Sequence, residues 1–312
     1  MMKLAFVFPG QGSQSLGMMN ELYAEFAVVQ QTFAEANSAL GYDLWKIVNE
    51  GPEDKLNDTT VTQPAMLTAG VAAWRVWQEK GGPQPSIMAG HSLGEYTALV
   101  CSGSLAFADA VSLVADRGRY MQEAVPAGQG AMAAILGLSD DDVKQACNDA
   151  ARGDIVSAVN FNSPGQVVIA GQAAAVERAV EACKAKGAKR AVILPVSVPS
   201  HCHLMESAAQ KLSQRLTEIT INAPAIPVLN NVDVSAVQDP AQIRAALMRQ
   251  LYNPVRWVEI IEQMAKDGVD TLIECGPGKV LIGLNKRIDK NMKAVALFNT
   301  ESLALALATV NS

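Results

Sequence analysis

The chain has 312 residues, 49% of them hydrophobic and 18% charged, and carries a net charge of −6. This content suffices for one large domain or two smaller ones and excludes a disordered chain, and the acidic balance excludes a general nucleic-acid binder, whose footprint is basic. Scattered cysteines without C-x-x-C spacing and the lack of any apolar run long enough to span a membrane exclude a disulfide framework, a zinc site and a membrane span, leaving a soluble protein of a reducing compartment as the expectation.

In chain order, residues 3–8 form a compact β-prone run that ends in Pro9-Gly10-Gln11-Gly12-Ser13-Gln14, and residues 17–40 have helical character. Pro9-Gly10 breaks the apolar run and no small-residue cleavage site follows, so it reads as a first strand and not as a secretory leader. The glycines after it fit neither G-x-G-x-x-G nor a phosphate loop ending in G-K-[ST]. They do leave backbone N–H groups free at the carboxyl edge of a sheet, where α/β sites lie and where an oxyanion hole is built. Residues 62–80 read as a helix with Pro64 near its first turn, and Trp74 and Trp77 share a helical interval that marks core packing. A short apolar strand at 86–89 follows the turn-rich Gly81-Gly82-Pro83, and residues 95–101 open the next helix. Residues 107–123 form a further helix, on which Arg117 shares a face with Met121 by the four-residue spacing. An arginine there is either a surface ion pair near a helix C-terminus or a clamp for a substrate carboxylate.

From residue 130 to 198 the character changes. A strand at 131–138, a helix opened by Ser139 and running to 151, strands at 155–161 and 166–170 about the turn Asn162-Ser163-Pro164-Gly165, a helix at 173–186 and a strand at 191–198 succeed one another. The sum is β-α-β-β-α-β, the order of a ferredoxin-like module. Beyond it come a helix at 204–219, a strand at 226–230, a helix at 241–251, and a strand at 271–274 followed by Gly276-Pro277-Gly278-Lys279 and a helical start. Strand, glycine turn and helix recur in these outer segments, which argues for a mostly parallel sheet covered by helices. The expected fold is α/β, with a large subdomain at 1–127 and 198–312 and an inserted ferredoxin-like small subdomain at 128–197.

Between the strand at 86–89 and the helix after it, Gly90-His91-Ser92-Leu93-Gly94 fits the G-x-S-x-G nucleophile elbow, a sharp strand-to-helix turn whose glycines admit neighbouring backbone. Ser92 is the candidate nucleophile. Serine needs a nearby base, and histidine suits because its pKa lies near the operating pH. His91 adjoins Ser92 at a strand end, so its side chain is expected to project the opposite way in a structural role. His201 and His203 both remain open as the base.

Phe8-Pro9-Gly10-Gln11-Gly12-Ser13-Gln14, Gly90-His91-Ser92-Leu93-Gly94-Glu95-Tyr96, Arg117, Pro199-Ser200-His201, Tyr252-Asn253-Pro254-Val255 and Glu274-Cys275-Gly276-Pro277-Gly278 occur together in one order. Over essentially the whole chain this set resembles the malonyl-CoA:acyl carrier protein transacylases of bacterial type II fatty acid synthesis. The resemblance implies a serine hydrolase-like large subdomain carrying the ferredoxin-like insert. It implies Ser92 as nucleophile, His201 as general base and acid, Arg117 as the clamp for the malonyl carboxylate, and the backbone carbonyl of Gln250 as the group that orients the histidine. The N–H groups of Gln11 and Leu93 would form the oxyanion hole. It further implies ping-pong transfer from malonyl-CoA to the phosphopantetheine thiol of acyl carrier protein through a malonyl-serine ester, in a cytoplasmic monomer with no cofactor and no metal. The elbow alone would equally serve a serine esterase or thioesterase, and the motifs leave a free-standing polyketide acyltransferase open. An acidic carrier would need a local cationic surface on this acidic chain, for which Lys286, Arg287, Lys290 and Lys293 are candidates.

Overall fold

The computed structural model describes residues 2–196 and 198–311. Its strands are β1 (Leu4–Phe8), β2 (Ile87–Gly90), β3 (Gly130–Leu136), β4 (Val156–Ser163), β5 (Gln166–Gln172), β6 (Arg190–Ile193), β7 (Val228–Leu229), β8 (Thr271–Cys275) and β9 (Lys293–Leu297). They form two separate sheets. The first runs β7-β2-β1-β8-β9 with every pair parallel, and the second runs β4-β5-β3-β6 with every pair antiparallel. The architecture is α/β.

The parallel sheet is covered on both faces, as parallel sheets must be when helices serve as crossovers. β1 shows how its sequence meets that demand. Alternation across the strand sends Phe6 and Phe8 to one face, where Phe6 meets the edges of Trp74 and Trp77 at ring-centroid distances of 5.1 and 5.3 Å. Ala5 and Val7 go to the other face, against Trp257, Ile260 and Ile261. All five residues of β1 are buried, so this strand lies at the centre of the fold.

The antiparallel sheet has its own interior. Ala133, Ile135, Val167 and Ile169 pack beneath the helices Asp140–Ala151 and Ala173–Ala185, while Met132, Val159, Val168 and Ala170 on the opposite face close over Cys202. That second face brings the sheet against the segment that follows it in the chain. A main-chain stitch reinforces the contact, with Val255 N–H donating to Val159 O at 2.8 Å and Phe161 N–H donating to Val255 O at 3.0 Å.

Several boundaries differ from the sequence reading. The helical stretch at 17–40 is two helices, Asn20–Glu25 and Ala27–Leu40, because buried Phe26 takes an extended conformation between them. The helix expected at 62–80 runs Thr59–Glu79 and begins at Asp58, whose carboxylate accepts the Thr60 N–H; Pro64 therefore lies in its second turn and not its first. The turn between β4 and β5 is only Pro164-Gly165, since Ser163 still pairs with Gln166. β6 ends at Ile193, and Leu194 to Val196 leave the sheet to line a cleft; Ser197, the expected last residue of the insert, lies outside the described residues. The helix expected at 204–219 is a short 3-10 turn, His203–Met205, followed by Glu206–Thr217. Helices Leu44–Glu50, Glu53–Leu56, Trp257–Lys266 and Thr300–Val310, together with β9, were not anticipated. No helix among the described residues is long and apolar enough to cross a membrane.

The tightest constraint in the fold lies where β2 meets the helix Gly94–Cys101. A Cβ on Gly90 would stand 1.8 Å from the Gly94 carbonyl carbon, and one on Gly94 would stand 2.1 Å from the Phe8 oxygen. Backbone cannot yield as a side-chain tip can. Gly90→Ala is therefore expected to cost about 3 kcal/mol or more, at or above the upper end of the usual overpacking cost, and to lower the melting temperature by roughly 6 °C or more. A thermal unfolding curve matching that of the parent chain would contradict this account of the turn.

Candidate active site

At this turn Ser92 adopts φ 51°, a left-handed conformation that a non-glycine residue occupies only when its surroundings hold it there. Two bonds do so: Ser92 N–H donates to Asn231 Oδ1 at 2.8 Å, and Asn231 Nδ2 donates back to Gly90 O at 2.7 Å. The result lifts the serine hydroxyl into a cleft of about 340 Å³ between the two sheets. Its walls include Gln11, His91, Leu93, Arg117 and Met121 on the side of the parallel sheet, and Met132, Asn160 and Val168 on the other.

Of the two histidines left open by the sequence, His201 reaches the serine. Ser92 Oγ lies 2.7 Å from His201 Nε2, while His201 Nδ1 lies 2.7 Å from the backbone oxygen of Gln250. A carbonyl oxygen only accepts, so Nδ1 carries the ring proton and Nε2 is the bare nitrogen that receives the serine O–H. His203 is exposed and bonds Glu206 at 2.7 Å on its own 3-10 turn. His201 also has positive φ, 65°, and its N–H is anchored to Leu251 O at 2.9 Å. Burial, and after it the charge of Arg117, pushes the His201 pKa down to about 3 from 6.5. The resting imidazole is neutral at neutral pH, the form that accepts a proton.

Arg117 is 1% exposed, which removes the surface-ion-pair reading. Its NH1 donates to Gln63 Oε1 at 2.7 Å and its NH2 to Gln250 Oε1 at 3.1 Å, with a longer contact of 3.4 Å to Ser92 Oγ. Among the described residues its Nε meets no hydrogen-bond partner and no carboxylate bonds the group. The guanidinium carbon lies 5.4 Å from the centroid of the Tyr96 ring. A cation so placed is desolvated and only partly compensated, which makes it a receptor for an anion arriving next to the serine.

Gln11 and Leu93 both line the cleft, and among the described residues the backbone N–H of neither finds a protein acceptor. Gly10 lets the first loop close on the elbow, since a Cβ there would come within 2.5 Å of His91 O. The structure thus brings Gln11, Ser92, Leu93, Arg117, His201 and Gln250 together. His91 departs from its expected place: it lines the same cleft, with Nε2 2.8 Å from Asn162 Oδ1 on β4 and its ring 5.5 Å from that of Trp257. It links the two sheets and leaves the serine to His201. Lys286, Arg287, Lys290 and Lys293 are exposed, and Arg287 bonds Gln166 on β5 at 2.9 Å.

Residues 5–300 match the family model for the acyl transferase domain. A malonyl CoA-acyl carrier protein transacylase from Salmonella typhimurium is 60% identical over 307 residues, covering 98% of this chain and 99% of that protein. The chain belongs to the malonyl CoA-acyl carrier protein transacylase family. Among solved structures of similar proteins, an acyl carrier protein S-malonyltransferase from Vibrio cholerae is 61% identical with a TM-score of 0.96, covering 97% of this chain and 99% of its own. A malonyl-transacylase in complex with its holo type II PKS acyl-carrier protein is 59% identical with a TM-score of 0.97, covering 98% and 99%.

Family membership does not by itself reveal the support beneath the site, and sequence reasoning missed four members of it. Gln63 holds Arg117, Asn162 holds His91, Asn231 holds the elbow, and Glu95 accepts from Gln250 Nε2 at 2.8 Å and Asn231 N–H at 2.9 Å. Glu95 sat in the quoted motif and its position one helical turn past Ser92 was a usable signal. Asn231 is 139 residues from Ser92 and had none.

These pKa shifts carry a sign. Between about 3 and 6.5 the unfolded chain binds a proton at His201 that the folded protein refuses, so acidification through that window disfavours folding. Glu95 and Glu274, both raised to about 7 by burial, act oppositely: their stabilising contribution is full below 4.5 and is lost as the pH rises to about 7. In an NMR titration the His201 ring is expected to show no protonation step between about pH 8 and 5, where an ordinary histidine titrates. Arg117→Ala should move its midpoint upward by removing a neighbouring positive charge. A midpoint near 6.5 in the parent protein would contradict the burial account.

Proposed function

We propose that this chain moves a malonyl group from malonyl-CoA to the phosphopantetheine thiol of acyl carrier protein through a malonyl ester of Ser92. The observation that carries the reading is the buried Arg117 guanidinium beside the Ser92 hydroxyl, with no carboxylate among the described residues bonded to it. An acyl group that ends in a carboxylate completes that site, because the planar fork of arginine meets a carboxylate with two parallel charge-assisted bonds. An acetyl group leaves the cation as it was. The names of the relatives, which are malonyl transacylases, support the same reading.

In the proposed cycle Ser92 Oγ–H passes its proton to His201 Nε2 as the oxygen attacks the thioester carbon. The developing oxyanion is held by the N–H groups of Gln11 and Leu93. The C–S bond breaks, the CoA sulfur takes the proton from His201, and the malonyl-serine ester remains. The carrier thiol then gives its proton to His201 and attacks the ester; the C–O bond breaks and Ser92 Oγ recovers the proton. One site used by two thiols in turn gives ping-pong kinetics. The Gln250 carbonyl keeps the histidine tautomer fixed without a buried carboxylate, a weaker stabiliser of the imidazolium than an aspartate. Side chains and backbone supply every step, so no cofactor enters the proposal.

We read the antiparallel unit, residues 128–197, as a ferredoxin-like subdomain inserted in a serine hydrolase-like large one. Its β-α-β-β-α-β order and its strand order β4-β5-β3-β6 support that description. A polyketide carrier in place of a fatty acid carrier is the second reading, supported by the relative solved in complex with a type II PKS acyl-carrier protein. The chemistry at Ser92 is the same for both.

Intact mass spectrometry after mixing with malonyl-CoA is expected to show a single malonyl adduct, lost on adding carrier and absent in Ser92→Ala. An adduct persisting in the alanine variant would remove Ser92 from the mechanism. Arg117→Ala should lower malonyl transfer, as kcat/KM, roughly 10- to 100-fold relative to acetyl transfer, the range for losing a charged hydrogen-bond partner. An unchanged malonyl-to-acetyl ratio would exclude Arg117 as the clamp.

A further inference from the structure

Arg117 is held by two side-chain amides, and each presents its carbonyl oxygen. An amide that turns over presents NH2 instead, which repels a guanidinium. Something must decide which way the Gln250 amide faces. Its Nε2 donates to Ser92 O at 3.0 Å and to Glu95 Oε2 at 2.8 Å, and Glu95 is 2% exposed. Oε2 of Glu95 is fixed as an acceptor by the Asn231 backbone N–H, which can only donate, so it draws the NH2 end of Gln250 toward itself and turns Oε1 toward Arg117. The same Glu95 oxygen accepts the Asn231 N–H at 2.9 Å, and Asn231 Oδ1 accepts the Ser92 N–H at 2.8 Å. One carboxylate therefore reaches the arginine through Gln250 and the serine through Asn231.

We infer that Glu95 is a positioning residue for acyl selectivity: by fixing the Gln250 amide it aims the Arg117 guanidinium at the acyl pocket without neutralising it. The intervening amide is what makes this work. A carboxylate bonded directly to Arg117 would satisfy the cation and compete with the malonyl carboxylate. Set one amide away, Glu95 orients the guanidinium and leaves its Nε with no hydrogen-bond acceptor among the described residues. Gln250 thus serves the site twice, its backbone oxygen holding His201 and its side chain holding Arg117.

The inference rests on Arg117 being the malonyl clamp, and the test separates the two. The ratio of malonyl to acetyl transfer, each as kcat/KM, is measured for Arg117→Ala, Glu95→Ala, Glu95→Gln and Gln250→Leu in the full chain. Glu95→Gln keeps an oxygen where Oε2 stands and is expected to hold the ratio within about threefold of the parent, as a conservative rescue. Glu95→Ala and Gln250→Leu break the relay and are expected to lower it at least about tenfold, the loss of one charge-assisted hydrogen bond. If Glu95→Ala does not fold, Gln250→Leu and Glu95→Gln carry the test. A ratio that falls with Arg117→Ala but is untouched by Gln250→Leu, or by a folded Glu95→Ala, overturns the relay alone. Loss with Glu95→Gln as large as with Gln250→Leu also overturns it, since charge and not amide orientation would then be the cause. A ratio indifferent to Arg117→Ala overturns the clamp itself.

Discussion

A full positive charge buried beside the Ser92 hydroxyl is the constraint on which the rest of this structure depends. Desolvation makes an uncompensated cation costly, and a protein carboxylate in direct contact would neutralise the group proposed to distinguish a charged acyl chain from a neutral one. The molecule resolves this with dipoles. Gln63 and Gln250 meet Arg117 through carbonyl oxygens, and the Tyr96 ring lies nearby. The same constraint extends to the histidine, since the Arg117 charge adds to burial in holding His201 neutral. The backbone carbonyl of Gln250 meets that ring without adding a further buried charge.

The two sheets divide the labour. The parallel sheet fixes the elbow, and its strongest statement is steric: β1 ends so close to Gly94 that no side chain fits between them. The antiparallel sheet forms the facing wall of the cleft and packs on Cys202, the neighbour of His201. His91 joins the halves through Asn162, and the main-chain stitch between Val255 and β4 joins them again. Ser92 and His201 therefore sit on elements whose spacing is set by contacts between the sheets.

Much of this was legible in the sequence where local patterns carry the information. Gly90 and Gly94 announced the turn, the β-α-β-β-α-β order announced a second sheet, and the compact β-prone run at 3–8 announced the first strand. The choice between His201 and His203 was not legible from spacing, because it depends on a left-handed kink at His201 and a contact with Leu251 fifty residues on. Asn231 and Gln63 were silent for the same reason: a polar residue joins a site through tertiary contact, and neither lies in a local motif. The missed break at Phe26 has a different cause. Helical propensity on both sides is strong, and only the burial of that ring shows why the chain straightens for one residue.

Ser92 and His201 both stand on left-handed backbone that disfavours any residue with a Cβ. A glycine could occupy either position with less conformational penalty than the residue found there. The two groups that meet at 2.7 Å are thus held against the chain's own torsional preference. The fold is in this sense a spring kept loaded at two points, and its large, well-packed sheet is what the chain sets against their tendency to relax.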